Sequence, residues 1–448
     1  MMIMIHSGKG AAAWIKGYLT PLLLFLLIFE LAGCGDRAGL PAEAKRNELS
    51  LTIEPCLIAL APLNGGALID KEIADWQQRS REQEDRSSAL ERLGWAFVEK
   101  ARESYDAGLY RLAEQSALCM ESKGPGSAEA LLLRGHALHS MHRFQEAETV
   151  ARDLVKQRGI PFDLGLLGDV LMDEGKFDEA VAAYQKMVDM RPDLQSYSRA
   201  AHTRWLSGDL NGAIALMRLA SNSASRSESD SSAWVYARLA LYELQAGNLR
   251  EADAACTAAL EFRKDYAPAL LARGRILLAQ DKAIEAIEPL KKAAELDRLP
   301  EYQWTLADAL RVAAKEEESR IVETELAQKG AVEDPRTYAL FLATRGEQAE
   351  KALALATDEI KKRGDIFSHD ALAWTLLNAG RREEANAEIT KALVIGTKDA
   401  RIFFHAGVIA AKLGRRDEAK RRLDQAKAIQ QMLLPGEREI LTHYLAAL

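Results

Sequence analysis

What this chain has little of sets the first limits on it. Four cysteines in 448 residues are too few for the disulfide framework that holds small secreted domains together. Twelve prolines and 29 glycines exclude a collagen-like or low-complexity chain. Aromatic residues make up only 6%, so any core must be built from small and aliphatic side chains. A surplus of cations is missing too: 59 Lys and Arg stand against 66 Asp and Glu, a net charge of −7. Such a chain gains little by releasing counterions from phosphate backbones, and nucleic acid is not expected as a partner. No HExxH, GxxxxGKS/T, GxSxG, CxxC or EF-hand loop occurs, so neither an enzyme nor a bound cofactor is expected. What remains is 48% hydrophobic and rich in Ala, Leu and Glu. That composition favours helices and can bury a long core.

The amino-terminal segment 1–33 reads as an address. Lys9 and Lys16 lie in an otherwise uncharged start, and residues 17–29 form an uncharged, largely apolar run. As a helix that run rises about 20 Å, short of the ~30 Å hydrocarbon core, and its length suits a signal peptide better than a span. Leu31-Ala32-Gly33-Cys34 follows directly. This box resembles a bacterial lipoprotein signal, which implies cleavage before Cys34 and lipidation of its thiol. Glu30 departs from the usual apolar pattern and leaves an uncleaved amino-terminal anchor as the other reading. Gly35, not Asp, comes next; by the resemblance, the periplasmic side of the outer membrane is favoured over the inner membrane. Of the other cysteines, Cys119 and Cys256 fall on helix faces with apolar neighbours and read as buried structural thiols. The odd count that Cys56 completes allows at most one bridge.

A repeat fills most of the rest. Glycine, four residues, alanine recurs as Gly108/Ala113, Gly175/Ala180, Gly208/Ala213, Gly247/Ala252, Gly380/Ala385 and Gly414/Ala419. His142/Ala147 and Asp281/Ala286 take the same slot with the glycine replaced. Alanines 113, 147, 180 and 213 are spaced 34, 33 and 33 apart, a period that marks stacked helix pairs. The glycine ends a first helix, the alanine allows close packing early in the second, and Gly135, Gly168, Gly274 and Gly407 are small residues within first helices. With Tyr110 and Phe177 after the turn and Pro125 and Pro192 at unit ends, this pattern resembles the tetratricopeptide repeat. The resemblance implies an all-α, right-handed superhelical solenoid of antiparallel helix pairs with a concave inner wall. About ten units are expected, beginning near Gly94, Ala128, Pro161, Leu194, Ala233, Ala267, Glu301, Pro335, Ile366 and Ala400. The division is therefore a signal at 1–33, a linker at 34–69, a capping helix at 70–93, the array at 94–434 and a closing helix at 435–448. The Ser-rich stretch 221–232 reads as a solvated loop.

By the same resemblance the first helix of each unit faces inward. The inward positions are Arg102 and Tyr105, His136 and His139, Asp169 and Asp173, and His202 and Trp205, followed by Leu241, Leu244, Arg275 and Leu278. The early wall is thus polar and the middle apolar. Three readings stay open for it. It is a peptide groove in which Arg102 and the imidazoles hold a carboxylate or backbone while Tyr105 and Trp205 offer flat apolar area; a wall that is merely solvated; or a metal site in which His136, His139 and Asp169 share an ion. Trp95, Trp234, Trp304 and Trp374 read as packing between units. Nine Lys and Arg between residues 398 and 433 read as the wet side of a helix, with contact to an anionic partner or lipid headgroups as the other reading. Together these features point to a membrane-anchored scaffold that binds proteins or peptides in a bacterial envelope. The alternatives are a small-ligand or metal-binding protein using the His/Asp wall, and a hydrolase with a cryptic site in the groove.

Overall fold

The computed structural model describes residues 54–82 and 86–448. Among them are 23 α-helices and no strand, and from Arg86 onward the helices form ten antiparallel pairs. Pairs one to three are Arg86–Ser104 with Gly108–Lys123, Ala128–Ser140 with Phe144–Gln157, and Pro161–Asp173 with Phe177–Met190. Pairs four to seven are Leu194–Leu206 with Leu210–Asn222, Ser229–Gln245 with Leu249–Phe262, Ala267–Ala279 with Ala283–Leu296, and Pro300–Val312 with Glu316–Glu333. Pairs eight to ten are Pro335–Arg345 with Ala349–Ile360, Ile366–Asn378 with Arg382–Ala392, and Ala400–Lys412 with Arg416–Ala428. Helices Pro55–Ala59 and Leu68–Glu82 precede the array and Pro435–Ala447 closes it.

The repeat landmarks explain this geometry. Gly175, Gly208, Gly247, Gly380 and Gly414 have φ between 75° and 80°, a left-handed turn that costs an L-residue energy and glycine almost none. His142, Asp281 and Ala314 adopt the same conformation without being glycine. Landmark alanines 113, 147, 180, 213, 252, 286, 385 and 419 are all fully buried. In the first helices, a Cβ on Gly168 would fall 2.3 Å from the Tyr184 ring, and one on Gly274 2.3 Å from Leu290. Each hydrogen here lets one helix of a pair lie against the other.

Several expectations need correcting. Gly108 starts the second helix of pair one, and the left-handed turn residue is Tyr105, φ 55°. The linker 34–69 contains the helix Pro55–Ala59, and the cap foreseen at 70–93 is two helices, the second of them belonging to pair one. The Ser-rich stretch 221–232 is mostly ordered as helix. A short loop and one 3₁₀ turn pass into Ser229–Gln245, with Ser232 buried and hydrogen-bonded to both backbone groups of Ser225. Cys119 is not a thiol but is bridged to Cys56, fastening Pro55–Ala59 to pair one, whereas Cys256 is a buried free thiol. Cys34 and the signal lie outside the described residues, and no described helix is long and apolar enough to cross a membrane.

The stack does not form an open trough. The coil returns on itself, and the edge carrying the turns within early pairs meets the edge where later pairs join. Asp173 pairs with Arg363, a separation of 190 residues along the chain. Thr397 donates to the Leu206 carbonyl at 2.5 Å, the Gln245 amide to Lys398 at 2.7 Å, and the Gln431 amide to the Gln245 carbonyl at 2.8 Å. Arg275 donates to the Met432 carbonyl at 2.7 Å. At Gly175 the backbones approach so closely that a Cβ would sit 2.1 Å from the Gly364 carbonyl oxygen. Two turns of the superhelix are thereby joined along a seam from pair three to pair six.

Candidate functional site

Inside the first turn lies a basin of about 1770 Å³. Arg102, Tyr105, His136, Asp169 and His202 all line it. His139 and Trp205 do not. The Trp205 indole is half-buried between His202, Tyr242 and Phe367 and donates to Gln245 at 2.7 Å, so it serves packing. His139 is bonded to Asp173 at 2.8 Å, and Asp173 lines a smaller cavity of about 320 Å³ at the seam, where His202 also reaches. Leu244 and Leu278 are buried and Arg275 is engaged by residue 432. The middle of the wall is therefore covered by the chain's own carboxyl-terminal segment and offers no open apolar groove.

The polar groups of the wall divide into those already occupied and those left free. Asp169 accepts two hydrogen bonds from Arg199, at 2.8 and 2.6 Å, and one from the Tyr184 hydroxyl at 2.7 Å. Burial works against ionisation of Asp169, yet the Arg199 charge and bonds hold its carboxyl below the usual range. Asp173 is the same case, with His139 and Arg363 overcoming burial. His136 meets the Trp95 ring edge-on, centroids 5.3 Å apart. Burial, and then the Arg102 charge, push His136 down to about 3. His202 is pushed down to about 4 by burial and then by Arg238. Both imidazoles are therefore neutral near pH 7 and hold no carboxylate by charge. As a metal site His136, His139 and Asp169 fail as well: no three His, Cys, Asp or Glu side chains among the described residues converge on a common point, because Asp169 and His139 are spent on Arg199 and Asp173.

What the wall leaves free was only partly foreseen. Arg102 and Arg238 line the basin with no carboxylate partner among the described residues, Arg238 lying over the Trp234 ring at 5.6 Å. Trp234 is 38% exposed and Trp95 half-buried, both on the basin wall. Trp304 and Trp374 are buried between units as expected. Trp234 and Arg238 are one helical turn apart, the signal in the sequence that marks them as sharing a face. The basic stretch 398–433 is mainly an exposed helix surface with a few solvated ion pairs such as Lys420–Asp424, although Arg401 turns inward to Glu437 at 2.5 Å.

Residues 164–194, within pair three and its junction, match the family model "Tetratricopeptide repeat". No protein of curated function matches the sequence. Among solved structures, yeast Tom70 is 16% identical with a TM-score of 0.38, over 85% of this chain and 92% of that one. A tetratricopeptide repeat protein from Parabacteroides merdae is 16% identical with a TM-score of 0.31, over 56% and 97%. The APC/C hetero-tetramer Cut9–Hcn1 gives 12% identity and a TM-score of 0.35, over 88% and 99%. Nothing about the site or partners of this chain is taken from them. Residues 164–194 thus match the tetratricopeptide repeat and lie within an all-α solenoid of ten helix pairs.

Proposed function

We propose that this protein is a scaffold of a bacterial cell envelope, tethered by lipid at Cys34, which holds a partner protein in the basin of its first turn. The observation that carries the reading is the free chemistry of that basin. Arg102 and Arg238 lack carboxylate partners among the described residues, and they lie on the same wall as Trp95 and Trp234. Guanidinium and indole groups on a rigid concave surface are the combination that supplies most binding energy at protein interfaces. The Cys56–Cys119 bridge supports an oxidising compartment outside the cytoplasm. Asp169, Asp173 and His139 are held within the wall by Arg199, by Arg363 and by each other.

Affinity capture from detergent-solubilised membranes tests this, comparing wild type with a Trp234→Ala/Arg238→Ala variant. Partners identified by mass spectrometry should be lost from the variant, whose helicity should be unchanged. Retention of every partner would remove the basin from the account. Palmitate labelling should be lost in Cys34→Ser; labelling that persists would remove the anchor.

A further inference from the structure

The seam between the two superhelical turns is joined only in part. From pair three to pair six it is held by Asp173–Arg363 and by the hydrogen bonds at Leu206, Gln245 and Met432. At the other end, the Tyr105 hydroxyl accepts a hydrogen bond from the Ala267 amide at 3.1 Å. Between these points the basin reaches the seam, lined on one side by the turns of pairs one and two. On the other side stand the junctions of pairs six with seven and seven with eight. Four helices of the array exceed the usual 13 or 14 residues of the repeat; two belong to pair one, and the other two also feed the basin. The second helix of pair seven runs to 18 residues and brings Val332, 85% exposed, and Glu333 to it. The first helix of pair five, 17 residues long, brings Asp230 and Trp234.

Charge is sorted across this gap. Arg102 and Arg111 line the basin from pair one without a carboxylate partner among the described residues, while Arg238 lines it from pair five, on neither side of the gap. Glu295 and Glu333 line it from the two junctions, likewise without a cation partner among the described residues, with the Asp297 carboxyl buried beside them; Arg298 is the exception in sign on that side. Opposite charges left facing a water-filled space, rather than paired as at Asp173–Arg363, are matched by a chain lying between them with each sign directed to one side. An extended backbone does this, since successive side chains point to opposite faces.

Resting on the scaffold reading, we infer that the basin's partner is an extended protein segment of alternating charge, entering through the open part of the seam. Its acidic side chains face Arg102 and Arg111, and its basic ones face Glu295 and Glu333. Fluorescence anisotropy with labelled peptides of about twelve residues tests it. One peptide alternates Glu and Lys, and its isomer carries all its Glu before all its Lys. The alternating peptide should bind wild type at least about tenfold more tightly than the isomer. Reversing one side, by Arg102→Glu/Arg111→Glu or by Glu295→Lys/Glu333→Lys, should weaken it about tenfold or more. Reversing both sides together should restore binding, because the peptide need only slip by one residue to present the opposite pattern. Equal affinity for the two isomers, or single-side variants that are folded and bind unchanged, would overturn the inference. If captured partners depend on Trp234 and Arg238 while the alternating peptide does not bind, the scaffold reading stands and this one falls.

Discussion

Replacing Asp297 by Asn should stabilise this protein, and only above a defined pH. The carboxyl is 8% exposed, at the junction of pairs six and seven. Burial pushes its pKa from the ordinary 3.8 up to about 6; the Leu299 amide, 3.3 Å away, opposes the shift and the charges of Glu301 and Glu333 add to it. The folded state therefore binds more protons than the unfolded state between these two values. Stability is fully present below 3.8 and is lost as pH rises through about 6, after which the penalty stays constant. The displacement corresponds to a ceiling of about 3 kcal/mol at neutral pH. Asn keeps an acceptor for the Leu299 amide and removes the charge. Urea unfolding of wild type and Asp297→Asn, followed by circular dichroism from pH 3.5 to 8, should give nearly equal stabilities at the acid end. By pH 7.5 the variant should lead by about 1–3 kcal/mol. A difference that does not change with pH would refute the reasoning, because the carboxyl would then not be held in its neutral form by the fold.

Two further outcomes follow from the same geometry. Gly175 and Gly380 share a left-handed turn, φ 77° and 79°, but a Cβ on Gly175 meets the Gly364 carbonyl oxygen whereas one on Gly380 meets nothing within 4 Å. Gly380→Ala should cost about 1–2 kcal/mol for the backbone alone, and Gly175→Ala clearly more, with faster amide exchange around 363–366; equal costs would mean that the seam contributes nothing. For His202, pushed down to about 4, NMR should find the ring neutral from pH 8 to about 5. Its neutral burial contributes stability that is complete above 6.5 and lost as pH falls through about 4, so a titration midpoint near 6.5 would contradict the burial.

The fold was legible because the repeat writes it more than once. A glycine is needed in each unit where the chain turns left-handed, and an alanine early in the next helix where the two helices cross closely. The same demand recurs in pair after pair, so the pattern survives at His142 and Asp281, where the glycine itself is gone. Pair one shows the limit of this logic. There Gly108 falls in the expected place yet starts a helix, and the strained turn is taken by Tyr105. The Tyr105 ring lies beside pair six and its hydroxyl is hydrogen-bonded there, a tertiary contact that offsets a local cost of about 1–2 kcal/mol. Local sequence carries no trace of a partner 162 residues away.

The site was less legible for the same physical reason. Period and phase identify which residues of a helix face inward, and five of the eight inward residues foreseen do line the basin. They do not say what each will meet there. Asp169 is balanced by Arg199 of the next pair, Asp173 by Arg363 of the second superhelical turn, and Trp205 disappears into a stack that includes Phe367. The last two partnerships depend on the return of the coil onto its own earlier turn. That return depends in turn on small rotations summed over successive pairs, and no window of sequence holds that sum. The long helices of pairs five and seven are only partly visible in the sequence: a 39-residue step separates Leu194 from Ala233, but Glu301 to Pro335 keeps the regular 34. Read as lost repeat character, they say little; in three dimensions both add residues to the basin, next to the part of the seam that stays open. In a solenoid, whose regular units can only continue the stack, departures from the regular helix length are the places where a surface can be shaped for one partner rather than for any.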